Sequence, residues 1–121
     1  LVINVLSFGF KNGVPLDADF MFDVRFLANP YYETDLRPQN GLDLAVSEFV
    51  FSQLEATQAV SSISDLMKNW IPLHIKAGKT SLTIAIGCTG GQHRSVAITE
   101  KVSETLMQKF KRVTPIHRDI Y

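Results

Sequence analysis

The segment "SLTIAIGCTGGQHRSV", Ser81 to Val96, constrains the fold of this chain more than any other. Gly78 breaks the chain just before it, and "SLTIAI" is an apolar run of strand length. Ile98, Val102 and Leu106 then fall on one stripe and predict a helix running to about Phe110. The residues between, "GCTGGQHRS" from Gly87 to Ser95, are therefore the handover from a buried strand to a helix. That unit belongs to α/β domains, so the rest of the chain is expected to alternate strands with helices in the same way.

It does so on paper. "LVINVLSF" reads as a buried strand, and "FMFDVRF" follows the turn-rich "KNGVPLDAD". The alternation in "FMFDVRF" sends Phe20, Phe22, Val24 and Phe26 one way and Met21, Asp23 and Arg25 the other. The expectation is a strand through Phe26 with a polar face, with Met21 and the phenylalanine stripe as core. "LANPYYETDLRPQNG" then runs 15 residues with Pro30, Pro38 and Gly41, and an irregular stretch of that length points to a binding loop. Asp43 is placed to cap a helix starting near Leu44. A second helix carries Val60, Ile63, Met67 and Trp70 at spacings of three or four, with Pro72 expected to end or kink it. "RVTPIH" reads as a last edge strand. The expected fold class is α/β, a mainly parallel sheet flanked by helices that cover its faces.

At 121 residues with 45% hydrophobic content the chain suits one core, hence a single domain over 1–121. Lys plus Arg equals Asp plus Glu at 12 each, so there is no global basic field and a polyanion would need a local patch. No apolar run approaches the roughly 18 residues of a membrane span, and the start lacks signal-peptide features. A single cysteine cannot form an internal disulfide. A cytoplasmic protein without a membrane partner is expected, and the abrupt "LVINVLSF" reads as the start of a fragment cut from a longer protein.

The handover loop carries the chemistry. Gly90 and Gly91 let backbone amides turn inward, and the helix N-terminus behind them favours negative charge. Arg94 adds a planar donor fork suited to phosphate, His93 a further donor, and Thr89 and Ser95 hydroxyls. Singly, each has a structural explanation: a tight turn for the glycines, a small buried hydrophobe for Cys88, a local cap for His93. Together they favour a phosphate cradle. Asp23 and Arg25 are equally open to a cross-strand ion pair, and Lys109, Lys111 and Arg112 to decoration of a helix C-terminus. His74, His117 and Cys88 are too scattered for a metal site.

An enzyme alternative occupies the same stretch. The Cys-x5-Arg spacing from Cys88 to Arg94 resembles the phosphate loop of cysteine-dependent phosphatases, where a thiolate of lowered pKa attacks phosphorus. Gly87 stands where those enzymes usually carry histidine, and no aspartate is assignable as general acid, so the phosphatase is the alternative reading and a binding site with no catalytic residue the expected one.

"SFGFKNGVPLDADFMFDVRFLANP", "GLD", "IAIGCTGGQHRSV" and the late "HRD" together resemble the C-terminal domain of the RapZ family, bacterial RNase adapter proteins also described as nucleotide-binding. The resemblance implies a phosphofructokinase-subdomain-like fold. It also implies a longer protein with an N-terminal P-loop domain that would take ATP or GTP; no G-x-x-x-x-G-K-[ST] occurs in this chain, and no cofactor is expected in this part. For the function it implies sensing of glucosamine-6-phosphate or a similar sugar-phosphate, binding of a small regulatory RNA presented to endoribonuclease E in the control of amino-sugar synthesis, and a homo-oligomer.

Carried over by residue, the resemblance places the sugar-phosphate at Thr89, Gly90, Gly91, His93 and Arg94, flanked by Cys88 and Ser95, with Asp23 and Arg25 nearby. Asp23 would accept from a hydroxyl or pair with an amino group. Cys88 becomes a loop residue and not a nucleophile. Tyr31 in "NPYYE" stands where a histidine is expected in the enterobacterial form. The chain stops at Tyr121 without the basic tail of that branch, so RNA contact is expected to fall to Lys109, Lys111, Arg112 and Arg118.

Overall fold

A computed structural model of the chain describes residues 1–120. The elements in order are β1 (Val2–Gly9), β2 (Phe20–Asp23), α1 (Leu44–Phe51), α2 (Leu54–Lys76), β3 (Ser81–Cys88), α3 (Arg94–Met107) and β4 (Val113–His117), with short 3-10 turns at Phe10–Asn12 and Pro30–Tyr32. The strands form one sheet in the order β2-β3-β1-β4. Every pairing is parallel. The two most apolar strands, β1 and β3, take the centre, and the expected α/β class and edge position of "VTPIH" hold.

The register separates the two faces. Phe20, Ile84, Val5 and Pro115 form one row across all four strands, and Phe22, Ile86, Ser7 and His117 the next. These rows face the helices: Val5, Ile84 and Ile86 share a single core with Val46 and Val50 of α1, Val60, Ile63, Met67 and Ile71 of α2, and Ile98, Val102 and Leu106 of α3. On the opposite face lie the rows Met21–Ala85–Leu6–Ile116 and Thr83–Asn4–Thr114. Met21, Thr114 and Ile116 are exposed, so the helices gather on one face instead of covering both.

Several expectations are corrected by local chemistry. β2 stops at Asp23 because the Asp23 carboxylate accepts from the Arg25 backbone amide at 2.9 Å, turning the chain. Leu27 N then donates to Val24 O, and Phe26 is left 65% exposed; with Met21 also exposed, the stripe is core only at Phe20, Phe22 and Val24. Asp43 precedes α1, but its side chain accepts from Asn40 N instead of capping the helix.

α2 neither ends nor breaks at Pro72; it continues to Lys76 and closes at Gly78, whose φ is +96°. Proline cannot donate to the carbonyl four residues earlier, and that carbonyl, Lys68 O, instead accepts from Lys109 Nζ at 3.2 Å. Trp70 is correspondingly turned outward, and Ile71 takes the core position. α3 ends at Met107, three residues before Phe110.

Candidate functional site

β1 and β3 are central neighbours, so their carboxyl ends open side by side. Phe8 faces Gly87 and Gly9 faces Cys88 in the register, and Lys11 N donates to Thr89 O just beyond. The two loops are pressed together. A Cβ on Gly9 would collide with the Gly90 backbone, and one on Gly91 would lie 2.6 Å from Gly9 N. Gly91 also has φ +77°, so both its conformation and its contact require glycine.

The loop leads into α3 through His93, whose side chain makes no capping bond. The first amides of the helix have no intrahelical acceptor and, with the macrodipole, favour an anion. Above them opens a cavity of about 330 Å³. From the handover loop it is lined by Cys88, Thr89, Gly90, Gln92, His93 and Arg94. Lys11, and Asn29, Tyr31, Tyr32 and Arg37 of the long loop, complete its lining.

Its donors are held firmly. Arg94 is only 4% exposed; Nη1 donates to the carbonyls of Arg25 at 2.9 Å and Leu27 at 3.0 Å, and Nη2 to Thr89 Oγ1 at 3.3 Å. Arg94 Nε is buried without a partner, and so is Nε2 of His93, a residue 7% exposed. Two buried, unpartnered nitrogens beside the start of a helix are a costly arrangement unless a ligand or water meets them. Lys11 Nζ lies 3.8 Å from where a Cβ on Gly90 would stand, over the loop. Arg37 stacks on the Tyr31 ring at 4.7 Å from the centroid and donates through Nε to Tyr31 O. Among the described residues, no Asp or Glu lines the cavity.

Other residues singled out in the sequence sit elsewhere. Ser95 is fully buried and does not line the cavity; its Oγ accepts from Cys88 Sγ at 3.1 Å. Cys88, although at the cavity floor, is itself buried and shares strand parity with Leu82, Ile84 and Ile86. Asp23 and Arg25 pair with each other at 2.7 Å within the turn, and Arg25 lies over the Phe10 ring. They are no cross-strand pair, and neither lines the cavity. Arg25 holds the Asp23 carboxyl below its usual range against a weaker effect of burial, with a contribution from Arg94.

The late "HRD" turns out to brace the site. His117 Nδ1 meets Ser7 Oγ at 2.7 Å and Nε2 meets Glu100 at 2.9 Å. Asp119 accepts from Gly9 N at 2.7 Å, and Gln92 Nε2 donates to Asp119 O. Arg118 pairs with Asp119 and donates to Gly13 O. Burial alone would raise the Asp119 carboxyl; Arg118, the Gly9 amide and Asn12 outweigh it and hold it below the usual range. Of the four cations assigned to RNA, Arg118 is thus engaged in this brace and Lys109 in the carbonyl freed by Pro72. Lys111 and Arg112 are exposed and have no ion pair among the described residues.

The family model for the RapZ C-terminal domain matches residues 1–121. The chain belongs to the RapZ C-terminal domain family. It is 50% identical over 118 residues to a nucleotide-binding protein of Listeria monocytogenes, covering 98% of this chain and 40% of that protein. It is 46% identical over 120 residues to one of Cutibacterium acnes, covering 99% and 41%. With one of Shewanella halifaxensis the identity is 48% over 120 residues, covering 99% and 42%. The chain thus spans about two fifths of the length of these curated relatives. No helix among the described residues is long and apolar enough to cross a membrane.

Sequence reasoning missed Lys11, Asn29, Tyr32, Arg37 and Gln92 as cavity residues. The long loop was legible as a binding loop, but which of its side chains turn inward was not. Lys11 enters because β1 lies beside β3, a fact of strand order that no motif carries.

Proposed function

We propose that this domain senses a phosphorylated sugar, with glucosamine-6-phosphate the candidate that the RapZ resemblance implies. The observation that carries the reading is the pair of buried, unpartnered nitrogens, His93 Nε2 and Arg94 Nε, beside the glycine loop and the first turn of α3. A phosphate set over the loop would meet the first amides of α3, the helix dipole and the Lys11 ammonium, and a small side-chain movement would bring the two nitrogens to it. Reversible binding suits an adapter: the Cys88 thiol is buried against Ser95, and among the described residues no Asp or Glu lines the cavity to serve as general acid.

The further parts of the proposal follow the family. The domain would act in the cytoplasm within a homo-oligomer, contact a small regulatory RNA and deliver it to endoribonuclease E, with ATP or GTP held by an N-terminal P-loop region. Lys111 and Arg112 are the cations best free to meet RNA phosphates, and several copies in an assembly would add their contacts.

Calorimetric titration with glucosamine-6-phosphate and with inorganic phosphate tests the ligand reading. Both should release heat, and His93→Asn should weaken both while leaving the fold intact. No heat with either ligand, and no change in melting temperature at millimolar concentrations, would refute it. A mobility shift of a structured small RNA, comparing wild type with Lys111→Ala/Arg112→Ala at several salt concentrations, tests the RNA reading. Equal affinities would remove this patch from it.

A further inference from the structure

The phosphate end of the cavity leaves its rim unexplained. Arg37 and the paired Tyr31 and Tyr32 rings, 6.0 Å apart edge to face, line the cavity from the long loop. Tyr32 is 78% exposed, although it adjoins a polar cavity. Arg37 spends only Nε on Tyr31 O, so the two terminal nitrogens of its guanidinium are free to donate. With Lys11 and Arg94, three cations line a space that no Asp or Glu lines among the described residues. A phosphate monoester brings at most two negative charges and no planar ring.

The amino group of an amino sugar, moreover, finds no anion at this rim. Asp23, which sequence reasoning offered as its acceptor, lies outside the cavity with both carboxylate oxygens taken by Arg25. What fits three cations and an exposed aromatic pair is a ligand with two linked phosphates and a flat ring. One phosphate would sit on the loop beside His93, Arg94 and Lys11, the second at Arg37, and the ring on Tyr32, where stacking adds affinity without base-specific hydrogen bonds.

We infer that the cavity takes a nucleoside diphosphate, free or esterified to a sugar, with Arg37, Tyr31 and Tyr32 as the second subsite. The inference rests on the phosphate cradle of the proposed function and assigns the part of the ligand that the cradle does not reach. Arg37 and Tyr32 are then specificity residues: they separate a diphosphate with a base from a simple sugar-phosphate.

The test is a calorimetric titration of the full chain with inorganic phosphate, glucosamine-6-phosphate, uridine diphosphate and adenosine diphosphate. A nucleoside diphosphate should bind about tenfold or more tighter than glucosamine-6-phosphate, from one extra charge-assisted contact and one stacked ring. Arg37→Ala and Tyr32→Ala, both at exposed positions, should each remove most of that advantage, while Lys111→Ala, away from the cavity, should leave all four affinities within about twofold. His93→Asn should weaken all four. Nucleoside diphosphates no tighter than glucosamine-6-phosphate, or an advantage that survives Arg37→Ala, would overturn the second subsite while the cradle stands. A silent titration with all four overturns both readings. Tighter binding of a short RNA bearing a 3′-phosphate, lost in the same variants, would assign the rim to an RNA end and overturn the small-molecule reading.

Discussion

Gly90 and Gly91 are adjacent, yet alanine at each should have opposite consequences. At Gly91 the backbone has φ +77°, which costs a residue with a Cβ about 1–2 kcal/mol. The added carbon would also stand 2.6 Å from Gly9 N, 2.9 Å from Phe8 C and 3.0 Å from Asp119 Cβ. Two of those atoms are backbone at the end of the central strand β1 and cannot swing aside, so overpacking adds about 1–3 kcal/mol. Gly91→Ala should therefore lose roughly 2–5 kcal/mol of stability. In a chain of 121 residues that lowers the melting temperature by roughly 8 °C or more. At Gly90 the nearest atom to a new Cβ is Lys11 Cε at 3.7 Å, an ordinary contact with a flexible side chain, and φ is not positive. Gly90→Ala should change stability by less than about 1 kcal/mol, but its methyl group occupies the approach of a phosphate and should weaken inorganic phosphate binding at least about tenfold. Thermal and urea unfolding followed by circular dichroism give the first comparison, calorimetry the second. Equal destabilisation by the two substitutions, or unchanged phosphate affinity in Gly90→Ala, would refute the account of the loop as one glycine for packing and one for ligand.

Three further outcomes are expected. Because Asp19, Asp23 and Asp119 are all held below their ordinary range, each contributes stability above the pH where the unfolded carboxylate ionises; that contribution is lost as pH falls through the folded values. Asp119→Asn should flatten the acid limb of a stability-against-pH curve, and an unchanged limb counts against the brace. Pro72→Ala restores a helical donor to Lys68 O and should stabilise by about 1–3 kcal/mol in urea denaturation; a destabilised variant would show that the Lys109 contact depends on the proline. Cys88→Ser should keep ligand binding, and the wild type should release no phosphate from aryl phosphates; turnover lost with the thiol would revive the phosphatase mechanism.

The strand-to-helix handover, both central strands and the apolar stripe of α3 were legible because burial imposes a period on the sequence. What was not legible depends on contacts that period does not encode. The alternation of "FMFDVRF" runs on through Phe26, but the Asp23 carboxylate captures the Arg25 amide two residues later, and this local bond overrides the pattern. Pro72 was a sound breaker signal, overcome because a lysine 37 positions later supplies the missing donor. At the site, the glycines, His93 and Arg94 were readable as a cradle. The burial of Cys88 was available in its parity with Leu82, Ile84 and Ile86, and that of Ser95 in its place on the stripe of Ile98 and Val102. Lys11 and Arg37 required the sheet order and the fold of the long loop.

The Gln92–Asp119 contact has a practical corollary for anyone who trims or extends this chain. Gln92 lines the cavity, and Asp119 holds the amide of Gly9 against which the glycine loop packs. A version cut after His117 would keep its sheet and helices, give an ordinary circular dichroism spectrum, and still respond weakly to ligand. By the same linkage, whatever grips the cavity must also steady residues 118–120, and by an equal free energy whatever clamps those residues must tighten the cavity. The polypeptide that leaves after Asp119 starts within one side chain of the cavity, so a tag or fusion placed there is expected to change any binding in it.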